Sequence, residues 1–250
     1  MGSVLKWIFW GTIALIVWYA VADVGRVSLT FEQPKSARYR QTSHAIEESG
    51  VFQAAVADLD EHLVLPQDLT VEFAECGVVN AFYHPDRFTI RMCYELAERY
   101  AWAANRRYRA DSVANAAVYQ SLLFTFYHEV GHALVHVLAL PITGREEDAV
   151  DQLAAWVLLE AGDDGRDAAV QGALTFLDGP FGRGASWDTH SFDRQRYYNL
   201  LCWVYGSDPS AHGALLRGGW RLPADRAKNC EYEYQQLRNA WSQLLAGRFI

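Results

Sequence analysis

His128-Glu129-Val130-Gly131-His132 puts two imidazoles and a carboxylate within five residues of one apolar run. On a helix, histidines four apart lie one turn apart on nearly the same face, about 6 Å along the axis. Both can then reach one metal ion. Glu129 falls between them, where a carboxylate can take a proton from a metal-activated water. The spacing therefore points to metal-assisted hydrolysis with Zn²⁺, two ligands and a general base coming from one short segment.

Two protein ligands leave such a site incomplete, so a third must come from elsewhere. After His132 a helix running to about Leu140 carries the chain roughly 12 Å from the metal. Pro141-Ile142-Thr143-Gly144 then breaks it, and a few extended residues suffice for the return. The next segment, Arg145 to Trp156, reads as a helix with acids in its first turn. Glu147 and Asp151 are four apart and share a face. Glu147 is the expected third ligand and Asp151 the expected brace for a ligand imidazole. Glu146, Asp148 and Asp151 stay open as alternative ligands, and an ordinary solvated acidic turn is the bland reading. Further along, His190 and Arg196 follow a glycine-rich stretch, Asp178 to Gly184. At a loop-to-helix junction they could donate hydrogen bonds to a developing oxyanion, or simply begin a helix. His136 extends the series 128, 132, 136 but lies about 12 Å along the helix from His128. It is expected as a packed or supporting histidine. His44, His62, His84 and His212 have no ligand-like spacing and read as surface or turn residues.

H-E-x-x-H followed by E-x-x-x-D on the next helix resembles the gluzincin metallopeptidases. It is similar in particular to the CAAX-prenyl endopeptidase family. That resemblance implies zinc held by His128, His132 and Glu147, with Asp151 bracing a histidine. His190 and Arg196 match by offset a His and an Arg that stabilise the tetrahedral intermediate in that family, although Ser191 stands where the family has proline. The chain also lacks that family's several membrane spans. As a whole it resembles a group of small exported bacterial proteins assigned to the metallopeptidases without a known substrate. The segments that carry this are Asn80 to Tyr83, Cys93 to Leu96, the H-E-x-x-H helix, Gly144 to Asp151, and Cys202 to Pro209. The implied fold is zincin-like, in which an edge strand beside the metal helix binds an extended peptide by strand addition. A hairpin strand around Asn80 could take that part, or could be purely structural.

The elements that must position these residues follow from periodicity. Leu122, Leu123, Phe126, Val130, Ala133, Leu134, Val137 and Leu138 recur at helical spacing, which predicts a helix over about 112–139, N-capped around Asp111-Ser112. Further helices are expected over 43–62, 93–107, 168–177, 192–205 and 224–245. Leu69 to Phe73 reads as a strand. Val78 to Tyr83 and Phe88 to Met92 read as a hairpin, with His84-Pro85-Asp86-Arg87 as its turn. A small antiparallel sheet followed by mostly helices is an α+β layout. Residues 43–250 form the expected domain and 23–42 a polar, basic linker. Residues 1–22 are a signal peptide, with Ala20-Val21-Ala22 as cleavage site, or an N-terminal membrane anchor. Arg26, Lys35, Arg38 and Arg40 weigh against translocation behind a retained anchor.

The four cysteines argue for export. None has C-x-x-C spacing. Cys76 and Cys93 fall opposite each other when counted outward from the hairpin turn. Cys202 and Cys230 would then form the second of two disulfides, one of three pairings that four cysteines allow. Disulfides belong to oxidising compartments, so the protein is expected in the periplasm or at the cell surface, with membrane association through residues 4–22 open. Net charge is −8 with no basic patch, which argues against nucleic acid as a partner. The expected partner is a peptide or protein substrate. The competing reading is a catalytically inactive, envelope-associated binding protein with a retained metal site.

Overall fold

Runs of four to six residues, most with period-two apolar patterning, build a small sheet. The computed structural model describes residues 24–177, 192–217 and 221–248. Its four strands are β1 (Val27–Phe31), β2 (Leu69–Ala74), β3 (Ala81–His84) and β4 (Thr89–Cys93), in the order β1-β2-β4-β3. Val71, Phe73, Ile90 and Met92 point to one face and are completely buried. Thr70, Glu72, Thr89 and Arg91 alternate onto the other face and stay half-buried, where Arg91 donates to Glu72 at 2.7 Å.

The fold is α+β, mostly helical with this small sheet, but the sheet is mixed rather than antiparallel. The β3–β4 hairpin is antiparallel, whereas β1–β2 and β2–β4 are parallel. Parallel pairing needs crossovers, and the β1–β2 pair draws in residues 27–42, part of the expected linker. Residues 27–31 are β1, and Ala37–Ser49 form helix α1, capped by Ser36, whose Oγ accepts from the Arg38 amide at 3.2 Å. Val27, Leu29 and Phe31 alternate along β1 within a segment whose charges read as a linker. The expected helix over 43–62 is in fact the end of α1 and a second helix, α2 (Val51–His62). They are separated by Gly50 at φ 68, a left-handed conformation that glycine adopts without strain.

The remaining helices are α3 (Tyr94–Arg107), α4 (Asp111–Val137), α5 (Glu146–Glu160), α6 (Asp163–Thr175), α7 (Asp193–Ser207), the short α8 (Ala224–Ala227) and α9 (Cys230–Leu244). Ala110, rather than Asp111 or Ser112, occupies the N-cap of α4, which leaves Asp111 in the first turn, where its charge suits the helix dipole. Phe52 of α2 meets Phe73 of β2 edge-on at 4.7 Å and Phe126 of α4 at 6.0 Å. That aromatic chain seats α4 against the sheet. Helices α5 and α6 then pack against α4, and α7 packs on α5 and α6 in turn, with Val150, Leu153, Ala154, Ala168, Leu200 and Leu201 fully buried. No helix among the described residues is long and apolar enough to cross a membrane.

Both expected disulfides are formed. Cys76–Cys93 joins the chain after β2 to the end of β4, with Cα atoms 5.5 Å apart, and Cys202–Cys230 joins α7 to α9, with Cα atoms 4.9 Å apart. Two disulfides in one chain point to an oxidising, exported environment. Residues 1–22 lie outside the described residues.

Candidate metal centre

The metal helix and α5 approach closely because Gly131 lets them. A Cβ at Gly131 would lie 2.7 Å from Cβ of the fully buried Val150. The glycine inside H-E-x-x-H therefore sets the helix–helix distance that brings Glu147 and Asp151, three residues before Val150 and one after it, to the histidines. Between the helices the chain turns at Ala139, whose φ of 48° is left-handed. The helix stops at Val137, ahead of Pro141.

His128 and His132 present their rings at 5.0 Å and 81° to one another. Each Nε2 faces the same Glu147 oxygen, at 3.3 Å from His128 and 3.5 Å from His132. Each Nδ1 is occupied by a different carboxylate. His128 Nδ1 donates to Asp151 at 2.9 Å, and His132 Nδ1 to Glu146 at 2.7 Å. Tying down Nδ1 fixes ring orientation and leaves Nε2 as the coordinating atom, the usual support for metal-bound imidazole. One ligand atom from each of His128, His132 and Glu147 falls within 4.8 Å of the others. Two imidazole nitrogens and a carboxylate oxygen so arranged could hold a divalent ion, and the donor set fits one.

Asp151 is itself held from behind. Arg196 donates to it through Nε at 2.7 Å and Nη2 at 2.8 Å, and both side chains are buried. Burial works to raise the Asp151 carboxyl. The charge and hydrogen bonds of Arg196, with those of His128, outweigh it and hold the pKa at about 2. Burial works to lower His128, but hydrogen bonds with Asp151 and Glu147 raise it to about 9. His132 is raised for like reasons: burial opposes, while Glu147 and Glu146 prevail. Glu129 is raised chiefly by burial, against the pull of the two histidines. A buried carboxylate with an elevated pKa beside a ligand pair is suited to taking and returning a proton.

His128, Glu129, His132, Glu146, Glu147 and Arg196 line one cleft of about 840 Å³, within the usual size of a ligand site, with Asp151 behind it. Asn80 to Tyr83 of the sheet's edge form one wall, and the metal-facing turns of α4 and α5 another. His136 stands exposed at the rim, held by its neighbours rather than packed into the core. Its Nδ1 pairs with the Tyr83 hydroxyl at 2.9 Å, and the Phe88 ring stacks on it at 5.7 Å. Phe88, at φ 48, follows a 3-10 turn over Pro85–Arg87 where a β-turn had been expected.

Of the expected site residues, the structure gathers His128, Glu129, His132, Glu147 and Asp151. Arg196 also reaches the site, but two of its donor nitrogens go to Asp151 rather than towards an oxyanion. Its guanidinium carbon lies 4.1 Å from the centroid of the Phe176 ring. His190 lies outside the described residues. Glu146 as the partner of His132 was missed: on a helix, residues one apart diverge by about 100°, so spacing alone did not assign Glu146 and Glu147 to different rings.

An α+β domain with an H-E-x-x-H helix and a carboxylate from the next helix defines a candidate metal-dependent hydrolase. The chain belongs to the family described as "Putative metallopeptidase", which it matches over residues 31–245. No curated protein and no solved structure matches it.

Proposed function

We propose that the protein is an exported zinc peptidase of gluzincin type. The observation that best supports this is the pair of Nε2 atoms facing one Glu147 oxygen while each Nδ1 is held by a separate carboxylate. His128, His132 and Glu147 would hold the ion, and zinc suits two imidazoles and a carboxylate. When bound, the ion supplies Lewis acidity to a water and to the scissile carbonyl. Glu129 accepts a proton as water adds to that carbonyl, and delivers it to the leaving amine as the C–N bond breaks. Asp151 and Glu146 keep the imidazoles oriented, and Arg196 positions Asp151. Strand β3 has one free edge, since among the described strands only β4 pairs with it. An extended peptide laid along that edge would run past Glu129, a geometry supported by the shared cleft. The two disulfides support a periplasmic or cell-surface location, reached through residues 1–22 as signal peptide or anchor.

The test compares wild type with Glu129→Gln for metal content and for digestion of a peptide library. Glu129→Gln should keep the metal and lose hydrolysis. Wild-type turnover in that variant would remove the base assignment. Metal without turnover on any peptide in either form would favour a binding protein instead.

A further inference from the structure

Past Glu129 the cleft continues into a chamber of different chemistry. Its walls are Leu96 and Tyr100 of α3, Phe124 and Thr125 of α4, and Thr175 and Phe176 at the end of α6. Thr125 lies one turn before Glu129 on α4, so the chamber opens beside the proposed base. Leu96, Phe124, Tyr100 and Phe176 are all buried, and Phe124 meets Phe176 edge-on at 6.2 Å.

The hydroxyls in these walls are already engaged. Thr125 Oγ1 donates to the Ser121 carbonyl at 3.1 Å and receives the Tyr100 hydroxyl at 2.8 Å. Thr175 Oγ1 donates to the Gly172 carbonyl at 2.7 Å. Burial raises the Tyr100 phenol and keeps it neutral. Arg196 borders the chamber, its charge matched by Asp151 and faced as well by Asp193, which also lines the cleft. A carboxylate entering would meet Glu129 at the mouth, and an ammonium would meet Arg196. Either would shed water without a dedicated counter-charge.

We infer that this chamber is a specificity subsite that receives a large uncharged side chain, aromatic or branched aliphatic, next to the scissile bond. The assignment rests on the peptidase reading above for its substrate, and on the wall chemistry for its selectivity. One methylene more or less in an apolar pocket changes specificity by about tenfold or more. A phenylalanine should therefore be preferred to alanine by about 100-fold in kcat/KM.

The experiment uses fluorescein-labelled extended peptides identical except for one central Phe, Ala, Asp or Lys. They are titrated by anisotropy onto metal-loaded Glu129→Gln protein, and the unlabelled set is digested with wild type. The Phe peptide should bind at least tenfold tighter than the others and be cut beside the Phe. Thr175→Phe, added to Glu129→Gln, grows a ring into the chamber from its half-buried rim. It should cut Phe-peptide affinity at least tenfold while metal content holds. Phe176→Ala should move the preference towards Trp. Affinities within twofold of one another, a preference for Asp or Lys, no binding of any peptide, or indifference to Thr175→Phe would each overturn the assignment. Selective binding with no cleavage by wild type would remove the peptidase reading and leave the chamber assignment standing. Cleavage without preference for the central residue would do the reverse.

Discussion

Replacing Arg196 by methionine tests the support behind the metal centre. Methionine keeps the unbranched stem about as far as the position of Nε and removes the guanidinium, with its charge and its stacking on Phe176. Asp151, 2% exposed, would keep His128 Nδ1 as its one side-chain partner among the described residues. Two charge-assisted hydrogen bonds, at 2.7 and 2.8 Å, would be lost. Breaking one side of a buried ion pair strands the other charge, at a cost of about 3–5 kcal/mol. For a chain of this length, about 1 kcal/mol corresponds to roughly 2–4 °C, so Tm should fall by roughly 6–20 °C. Thermal melts of chelator-stripped protein measure this without stabilisation by bound metal. Arg196→Met/Asp151→Asn removes both charges and should lose less than the sum of the two single variants, by about 0.5–3 kcal/mol. Loosening Asp151 should also free the His128 ring, and competition with a chromogenic chelator should show metal affinity down about 10–100-fold. A loss below about 1 kcal/mol for Arg196→Met, or strict additivity in the double variant, would refute the reasoning.

Other outcomes follow from the same geometry. Glu146→Ala should weaken metal binding about 10–100-fold by releasing His132 Nδ1, whereas Glu147→Ala should lose stoichiometric binding; equal effects in chelator competition would contradict their separate roles. Gly131→Ala puts a methyl against Val150, and urea unfolding should show a loss of about 1–3 kcal/mol together with lower metal content, from helices pushed apart. His212 has a pKa lowered by burial first and by Arg166 next, and its Nε2 is buried with no partner among the described residues. Its stability contribution is thus present above the unfolded imidazole value and is lost as pH falls through the lower folded value. Wild type should lose more Tm than His212→Gln between pH 7.5 and 5 (roughly spanning the usual imidazole pKa), and parallel curves would count against it.

How far residues alone reach is clearest in α4 and its neighbours. Helical spacing from Leu122 to Leu138, the acids of 146–151, and the alternation of 69–73 were all visible in the chain. The two disulfide pairs were expected as well, but the hairpin does not make the first of them: Cys93 lies opposite Asn80, and the parallel pairing of β2 with β4, Ala74 beside Cys93, is what brings Cys76 to it. The β1 strand was not visible: its five residues sit among charges, and their partner, β2, is about forty residues away, so only pairing reveals them. The parallel register of β1, β2 and β4 was hidden for the same reason, since crossovers leave no local mark.

The site divides along the same line. Periodicity is a property of the backbone, so His128, Glu129 and His132 share a face of any helix that contains them, and the chain alone determined that. Which acid of the next helix meets which nitrogen depends on the crossing of α4 over α5, governed by the contact of Gly131 with Val150. Only the tertiary structure decided that Glu147 faces both Nε2 atoms, that Glu146 takes His132 Nδ1, and that Arg196 turns to Asp151. These choices follow from distances between elements, fixed by packing rather than by any residue's own preference.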